Sequence, residues 1–332
     1  MKKQLLIAAV AATMTSAAFA DISISGNAKY EYKNIEDVNN STTNTGHTEV
    51  NLNFVGKSGD TTVVLNSEYN GAGAVDSGAT SGLLDIEDMY MTTKIGDFTI
   101  KAGDYTTGTS AIIGEIDNGS RSTDKVGIST SVGGAKIAYS TTPGAGASDS
   151  VTVSMPVAGF DLTVKESPDS YTAFGISGDV AGVGVRLEQQ NSDTANSDVT
   201  FGNITKEVNG ITLGYAWISA DDAATTVTED DSAIFAVEMA TTGAASIANV
   251  NGVQQLSAKT SLAGNTVTFK AGSLSGEAGY QDADFTQVDV KRALASGATL
   301  QLTYTSADKA AVATGTTMTD TATLEADLSV KF

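Results

Sequence analysis

Apolar and polar residues alternate along almost the whole sequence after residue 20. At the C-terminus, TATLEADLSVKF, polar residues alternate with Ala322, Leu324, Ala326, Leu328, Val330 and Phe332. The same period of two recurs in DISISGNAKYEYK at residue 21, in HTEVNLNF at residue 47 and in ITLGYAW at residue 211. Successive side chains of a strand point to opposite faces of a sheet, so this pattern predicts strands with one apolar and one polar face. The mature chain shows no convincing helical period, and we expect an all-β protein.

Short glycine-containing turns separate the alternating runs. Each joins two runs directly, as a hairpin turn does. They lie at Lys57–Asp60, Lys94–Asp97, Ser131–Gly134, Pro156–Gly159, Asp179–Gly182, Glu207–Gly210, Ser261–Gly264 and Leu294–Gly297. The other connections are mostly longer, polar and acidic, for example DDAATTVTEDD at residue 221. This arrangement predicts an up-and-down antiparallel meander, with short turns at one end and long loops at the other.

The turns bound the number of strands. Eight turns that each join two strands, with one further strand at each terminus, give 18 strands. Because the stretch Gly210–Ser261 is difficult to divide, 16 strands are equally compatible. Sixteen strands leave about 20 residues for each strand and its connection, whereas a tilted strand needs roughly 9–11 residues to cross a membrane. An eight-stranded barrel would leave twice as many, which is more than the visible loops require.

Two architectures suit amphipathic strands: a soluble sandwich and an outer-membrane barrel whose polar face lines water. A sandwich of this length would normally divide into domains, and no linker interrupts the pattern. Closure would also remove the exposed edges of so large a sheet. Tyrosine and tryptophan lie on the apolar face near strand ends, as in an interfacial girdle. We therefore predict a transmembrane antiparallel barrel with short periplasmic turns and long extracellular loops.

The N-terminus indicates export. Residues 1–20, MKKQLLIAAVAATMTSAAFA, have the basic, apolar and small-x-small order of a signal peptide, and their apolar run is too short to span a bilayer. We expect cleavage after Ala20, which leaves residues 21–332 as the barrel. Removing residues 1–20 changes the formal net charge from −20 to −22, which disfavours nucleic acid as a partner. The sequence has no cysteine, so disulfides and zinc–thiolate sites are excluded.

Three segments carry a family resemblance. The start DISISGNAKYEY, the hairpin IEDMYMTTKIGDFTIKAGDYTTGT at residues 86–109 and the terminal Phe332 resemble the general diffusion porins of Gram-negative bacteria, in particular proteobacterial outer-membrane porins. The resemblance implies a homotrimer with a water-filled pore for small hydrophilic solutes, embedded in outer-membrane lipid and lipopolysaccharide, without a cofactor. On the resemblance, and not on the turn count, we prefer 16 strands to 18. Phe332, with Val330 and Leu328, is similar to the C-terminal signal that the outer-membrane assembly machinery recognises.

The resemblance also implies a constriction. In such porins the third long loop folds into the barrel, and its acids face basic residues of the wall. The matching segment is residues 104–122, in which Glu115, Asp117 and Asp104 are the expected acids. Strand alternation points four lysines inward as basic wall residues: Lys29, Lys101, Lys125 and Lys136. Where family members often carry glycine-arginine, this chain has Gly103-Asp104. The additional negative charge predicts a channel that favours cations.

Enzymatic functions lack the residues they require. His47 is the only histidine and lies beside a polar loop, so we expect it to be exposed and not a base or a metal ligand. Acid runs such as Asp221-Asp222 and Glu229-Asp230-Asp231 are typical of a solvated loop. They could bind Ca²⁺ loosely, but no ordered ligand spacing is present, and we predict no metal site.

Three functions remain open. The preferred one is a general diffusion porin, which is not an enzyme. The first alternative is a substrate-selective outer-membrane channel, which an 18-stranded barrel would suit. An aromatic ladder on the inner face would mark a sugar channel, but alternation points most aromatic residues outward. The second alternative is a surface β protein that forms no channel.

Overall fold

The computed structural model describes residues 21–37, 42–71, 84–106, 121–142, 149–168, 170–193, 198–220, 250–276, 282–308 and 320–332. The predicted signal peptide, residues 1–20, lies outside this set, as do most residues of the long connections. The described residues form strands and short turns, and no helix among them is long and apolar enough to cross a membrane.

The described residues form eighteen β-strands, which follow one another along the chain. They are β1 (Asp21–Asp37), β2 (Thr42–Ser58), β3 (Thr61–Asn70), β4 (Leu84–Ile95), β5 (Phe98–Thr106), β6 (Arg121–Val132), β7 (Ala135–Thr141), β8 (Asp149–Val157), β9 (Phe160–Ser167), β10 (Tyr171–Val180), β11 (Val183–Ser192), β12 (Val199–Val208), β13 (Ile211–Ala220), β14 (Val250–Leu262), β15 (Asn265–Gly276), β16 (Ala283–Ala293), β17 (Ala298–Asp308) and β18 (Asp320–Lys331).

The sheet closes on itself. Each strand pairs antiparallel with the next, and β1 also pairs with β18, through a register that runs from Asn27 opposite Lys331 to Asp37 opposite Thr321. Closure leaves neither terminal strand with an unpaired edge. The protein is therefore an all-β, antiparallel, closed barrel of 18 strands.

The preferred number of 16 strands is wrong. All eight predicted short turns connect paired strands, so the turn count alone gives the correct number. The stretch that was difficult to divide, Gly210–Ser261, contains β13 and most of β14, which pair with each other. The preference for 16 came from the family resemblance, and the hydrogen-bonded register overrides it.

The short turns have the backbone of tight hairpins. Their two central residues have positive φ at Gly133-Gly134, Ala158-Gly159, Ala181-Gly182, Asn209-Gly210 and Ala263-Gly264. Positive φ at both positions is the requirement of a type I′ turn, whose twist matches that of the flanking strands. Three of these turns place alanine, with φ of 51–52°, where asparagine or glycine is preferred. The strained backbone at these alanines lowers the stability of the barrel, and asparagine or glycine at the same positions would relieve the strain.

We expect Ala181→Asn to stabilise the barrel by about 1 kcal/mol, because asparagine tolerates the left-handed conformation that costs alanine roughly this amount. Equilibrium urea unfolding of the refolded protein in lipid vesicles measures the change. The reciprocal control is Asn209→Ala, since Asn209 already occupies the equivalent position with φ of 51°. It should lose a similar amount of stability, and two unchanged midpoints would contradict the prediction.

The two faces of the barrel differ sharply. In the described strands, the large apolar side chains that are exposed all lie at positions on the outer face, among them Ile24 (58% exposed), Phe98 (51%) and Leu256 (63%). The opposite alternation carries the charged pairs, such as Lys29 opposite Glu49 and Glu31 opposite Asp327. The register therefore confirms the predicted assignment of faces over most of the barrel. So much exposed apolar surface on one face is typical of contact with lipid.

Candidate functional site

The inner wall of the barrel carries acids and bases on different sides. Acidic side chains concentrate on the seven adjacent strands β16–β18 and β1–β4, and the register places them on the inner face. They are Asp289, Glu325, Asp327, Glu31, Glu49, Glu68 and Asp88. We call this the acidic sector. The acidic sector includes the first strand and the last strand, β1 and β18, so its two halves meet only because the barrel closes.

Two lysines on the inner face of β1 form ion pairs with carboxylates of the acidic sector. The Nζ atom of Lys29 lies 3.3 Å from Glu31 Oε2 and 3.3 Å from Glu49 Oε2. Lys33 Nζ lies 3.7 Å from Glu325 Oε2, which links β1 to β18. These contacts offset part of the negative charge and leave the sector acidic overall.

Three carboxylates of the acidic sector lie close together. One oxygen each from Glu31, Glu325 and Asp327 lies within 4.8 Å of the others. Oxygen ligands at this spacing could hold a hard cation, but Lys33 and Lys29 already contact two of the three residues. The acid runs that the sequence offered for loose Ca²⁺ binding, at residues 221–222 and 229–231, lie outside the described residues.

His47 belongs to the acidic sector too. It lies on β2 directly opposite Glu31, and its Nδ1 atom is 3.5 Å from Glu31 Oε1. Only 12% of its side chain is exposed, so the expectation of an exposed histidine is wrong. The reason is the length of β2: the strand begins at Thr42 and includes residues that read as a polar loop.

Basic side chains lie on the strands that follow the acidic sector around the barrel. The strands β5–β11 carry Lys101, Lys125, Lys136, Lys165 and Arg186 on the inner face. Lys125 and Lys165 are buried, with exposed fractions of 5% and 9%. Glu188, which is also buried, is an acid on this side. The inner wall thus carries a mainly basic group of strands next to the acidic sector before any loop is considered, with Asp161 and Asp179 as further acids on the basic strands.

Two tyrosines organise the first part of the basic side. The ammonium of Lys101 lies 3.8 Å from the ring centroid of Tyr90 on β4 and 3.9 Å from that of Tyr105 on β5. The two rings meet edge to face at 5.8 Å. Lys125 Nζ lies 5.6 Å from the Tyr105 centroid. We call Tyr90, Lys101 and Tyr105 the lysine clamp.

An apolar band occupies another part of the inner wall. Cross-strand neighbours on β12–β15 form one row near the long connections: Phe201, Ile218, Val253 and Leu274. All four are at most 4% exposed, as is Phe285 on β16. Most described aromatic residues do point outward as predicted, but Phe201, Phe285 and the inner tyrosines do not. Among the described residues, this row itself contains no charged side chain, and the nearest inner-face lysine on the same strands is Lys270.

Sequence reasoning missed the apolar band, although a signal for it exists. Within β16, the apolar residues Ala283 and Phe285 occupy odd positions, whereas Val288 and Val290 occupy even positions. Such a change of phase means that apolar side chains switch from the inner to the outer face along one strand. The same change occurs in β12 between Phe201 and Ile204.

The predicted constriction residues have different outcomes. Glu115 and Asp117 lie outside the described residues. Asp104 lies opposite Met89, whose side chain is exposed on the outer face, and its Oδ1 accepts a hydrogen bond of 2.8 Å from the Asp124 N–H. Asp124 has φ of 58° where the register between β5 and β6 shifts. Asp104 therefore supports a β-bulge, a role that the sequence did not indicate.

The predicted basic wall residues lie on the inner face in the register, but at different depths. Lys29 belongs to the acidic sector, whereas Lys101 and Lys125 lie on adjacent strands of the basic side. Lys136 is exposed and lies next to the short turn at Gly133-Gly134, so it is at one end of the barrel. The alternation of apolar and polar residues predicts the face on which each lysine lies, but not its position along the barrel axis.

Comparison with solved structures identifies the fold. The structure is similar to OccK3 (OpdO) of Pseudomonas aeruginosa, with a TM-score of 0.64 and 12% sequence identity over 94% of this chain and 96% of that chain. OccK2 (OpdF) of the same organism has a TM-score of 0.64 and 12% identity, over 94% and 98%. OccAB4 of Acinetobacter baumannii has a TM-score of 0.62 and 8% identity, over 94% and 98%. The chain has the fold of these Occ proteins.

This likeness is one of architecture, because the sequence identities are so low. No protein-family model matches the sequence, and no curated protein matches it closely enough to be counted as a relative. The Occ proteins are matched over nearly their whole length, so the comparison covers a complete barrel and not a fragment of one. The lysine clamp and the acidic sector are therefore described from this chain's own residues.

Proposed function

We propose that this protein is an outer-membrane channel that selects among small hydrophilic solutes. One observation carries the proposal: a closed barrel exposes apolar side chains outward and charged side chains inward. A wall of this kind separates lipid from water and needs no other partner to do so. The general diffusion porin that the sequence favoured shares this wall, so a second argument is needed to choose between the two.

The inner wall supports the selective alternative. It is divided into an acidic sector, a basic side and an apolar band, so a solute meets different chemistry on each side. Charged and apolar surfaces that lie close together in a pore discriminate between solutes of equal size. The 18-stranded barrel and its likeness in fold to the Occ proteins also fit this alternative better than a 16-stranded general porin.

The proposal also includes the predictions about export, membrane insertion, association of subunits and the constriction of the pore. Residues 1–20 direct export, the barrel lies in outer-membrane lipid and lipopolysaccharide after the assembly machinery has inserted it, and three copies associate. Glu115 and Asp117 narrow the lumen from the segment 104–122. Chemical cross-linking in native membranes tests the trimer, and N-terminal sequencing of the exported protein tests cleavage after Ala20.

We expect the refolded protein to conduct ions in a planar bilayer and to favour cations, because its net charge is strongly negative and its acidic sector lines the lumen. A reversal potential across a potassium chloride gradient measures the preference. A potential of anion-selective sign would contradict the cation preference alone. Absence of conductance from barrels whose folding is verified would contradict the channel itself.

Solute selection has its own measurement, which is the swelling rate of proteoliposomes in isosmotic solutes of equal size. The lysine cation should enter faster than the glutamate anion, with neutral glutamine as the matched reference. Rates that depend on size alone would indicate a general diffusion porin and would reject selectivity.

A further inference from the structure

The ammonium of Lys101 is held differently from those of the other inner lysines described above. It lies between two aromatic rings at 3.8 and 3.9 Å, a distance at which the negative ring faces attract a cation. Tyr105 is only 4% exposed, so its ring is fixed by its surroundings. The two rings come from different strands and meet edge to face, which closes the lysine clamp on two sides.

Lys29 and Lys33 provide the contrast. Both contact carboxylates at 3.3–3.7 Å, so their charges are largely neutralised on the wall. Among the residues that the structure describes, no carboxylate lies within 4.0 Å of the Lys101 ammonium. A ring face attracts a cation through its quadrupole and leaves the net charge in place. The clamp therefore fixes a positive charge without cancelling it.

We propose that Tyr90 and Tyr105 are positioning residues that hold Lys101 as a fixed positive charge on the lumen wall and thereby set the ion selectivity of the channel. The inference rests on the proposed channel function and assigns it a specific determinant. Lys101 lies beside the acidic sector, on the strand next to β4, and a fixed charge there keeps the local field at the lumen wall constant. A mobile ammonium would average that field over its positions.

A carboxylate close to the lysine clamp indicates where the Lys101 ammonium would move if the two tyrosine rings were removed. Asp88 lies on the same face of β4 as Tyr90, two residues away, and it interacts electrostatically with Lys101. Without the rings, the ammonium is free to move toward the Asp88 carboxylate and form an ion pair. Such a pair would cancel the charges of both residues, so the net charge of the wall would stay the same, but the lumen would lose the fixed positive site at Lys101.

The test compares ring removal with ring retention in planar bilayers. In the full-length protein, Tyr90→Leu with Tyr105→Leu removes both ring faces, whereas Tyr90→Phe with Tyr105→Phe keeps them. We expect the leucine variant to change the potassium-to-chloride permeability ratio, by less than the roughly twofold rise that Lys101→Met should cause by removing one unit charge roughly 10 Å from the permeating ion in water. The phenylalanine variant should match the wild type.

The decisive arm repeats the leucine substitutions in a Lys101→Met background. If the tyrosines act through Lys101, they should change nothing further, because effects of residues in one interacting unit are not additive. Lys136→Met and Tyr139→Leu are matched controls, on the inner face beside a turn and on the outer face respectively. A wild-type ratio in the leucine variant, or an equal shift without Lys101, would overturn the proposal.

A second measurement does not depend on conduction. A water-soluble acylating reagent modifies free lysine amines, and mass spectrometry gives the rate at each position. Lys101 should react several-fold faster in the leucine variant than in the wild type or the phenylalanine variant, with Lys136 as internal reference. Equal acylation rates of Lys101 in the three proteins would contradict the proposed role of the lysine clamp, even if the channel conducts. Should the double variant not assemble, Tyr90→Leu alone, which keeps the buried Tyr105, replaces it.

Discussion

Replacing Gly103 by valine should prevent assembly of the barrel. Gly103 lies on β5 between Lys101 and Tyr105, opposite Tyr90 on β4. Its φ of 131° is one that residues with a side chain rarely adopt. A Cβ atom at this position would overlap the carbonyl oxygen of Met89 and lie 2.7 Å from the Cα of Tyr90. These are backbone atoms of a hydrogen-bonded neighbour, so they cannot turn aside as a flexible side chain could.

Two destabilising effects of the Gly103→Val substitution add together. The unfavourable backbone conformation and the overlap with β4 together amount to about 3 kcal/mol or more. Outer-membrane barrels migrate differently on gels before and after heating, so the folded fraction is read directly. Gly96→Ala is the matched control: Gly96 also has positive φ, at 60°, but a Cβ atom there meets nothing within 4 Å. It should lose only about 1 kcal/mol, and a Gly103→Val barrel of wild-type stability would contradict the argument.

The position of Gly103 connects stability to the lysine clamp. The close approach of β4 and β5 at this glycine brings Tyr90 within reach of both Lys101 and Tyr105. Next to it, Asp104 supports the bulge at Asp124, and beyond the bulge the register of β6 shifts relative to β5. A larger residue at 103 would therefore disturb the clamp even in molecules that fold.

Local features of the fold could be predicted from the sequence, because they depend on neighbouring residues. The alternation around Lys29 and Glu31 gives the face of each side chain, and a glycine after Asn209 marks a hairpin turn. Short turns also give 18 strands when each is counted. The error of two strands arose where a resemblance was preferred to the count, across a stretch that contains most of β14.

Other features depend on the exact register of paired strands, which alternation does not contain. The clamp requires the register of β4 with β5, and the acidic sector requires β18 to meet β1. The bulge at Asp124 adds one residue to β6, so side chains beyond it cannot be aligned with β5 by counting. The same limit of alternation applies to His47. Its pairing with Glu31 depends on where β2 begins, and alternation does not give the first residue of that strand.

Deleting Phe332 should lower the amount of assembled barrel several-fold and leave the conductance of each assembled molecule unchanged. The backbone of Phe332 completes the seam between β18 and β1: its N–H donates to Gly26 O at 3.0 Å, and Gly26 N–H donates to Phe332 O at 2.9 Å. The ring is 59% exposed on the outer face. Conductance should be unchanged because nothing of Phe332 reaches the lumen. Membrane fractionation and single-channel recording measure the two quantities.

Two variants separate the seam from recognition by the assembly machinery. Phe332→Ala removes the ring and keeps both backbone hydrogen bonds, so an effect as large as the deletion would assign the role to the ring. Gly26→Val keeps Phe332 but displaces its ring, since a Cβ atom at Gly26 would lie 3.0–3.1 Å from two ring atoms and would overlap the Asn51 carbonyl oxygen. The control is Lys331→Gln, which changes the neighbouring exposed side chain. A deletion variant that assembles as well as the wild type would contradict the prediction, because the pairs from Lys331 to Thr321 would then suffice to close the barrel.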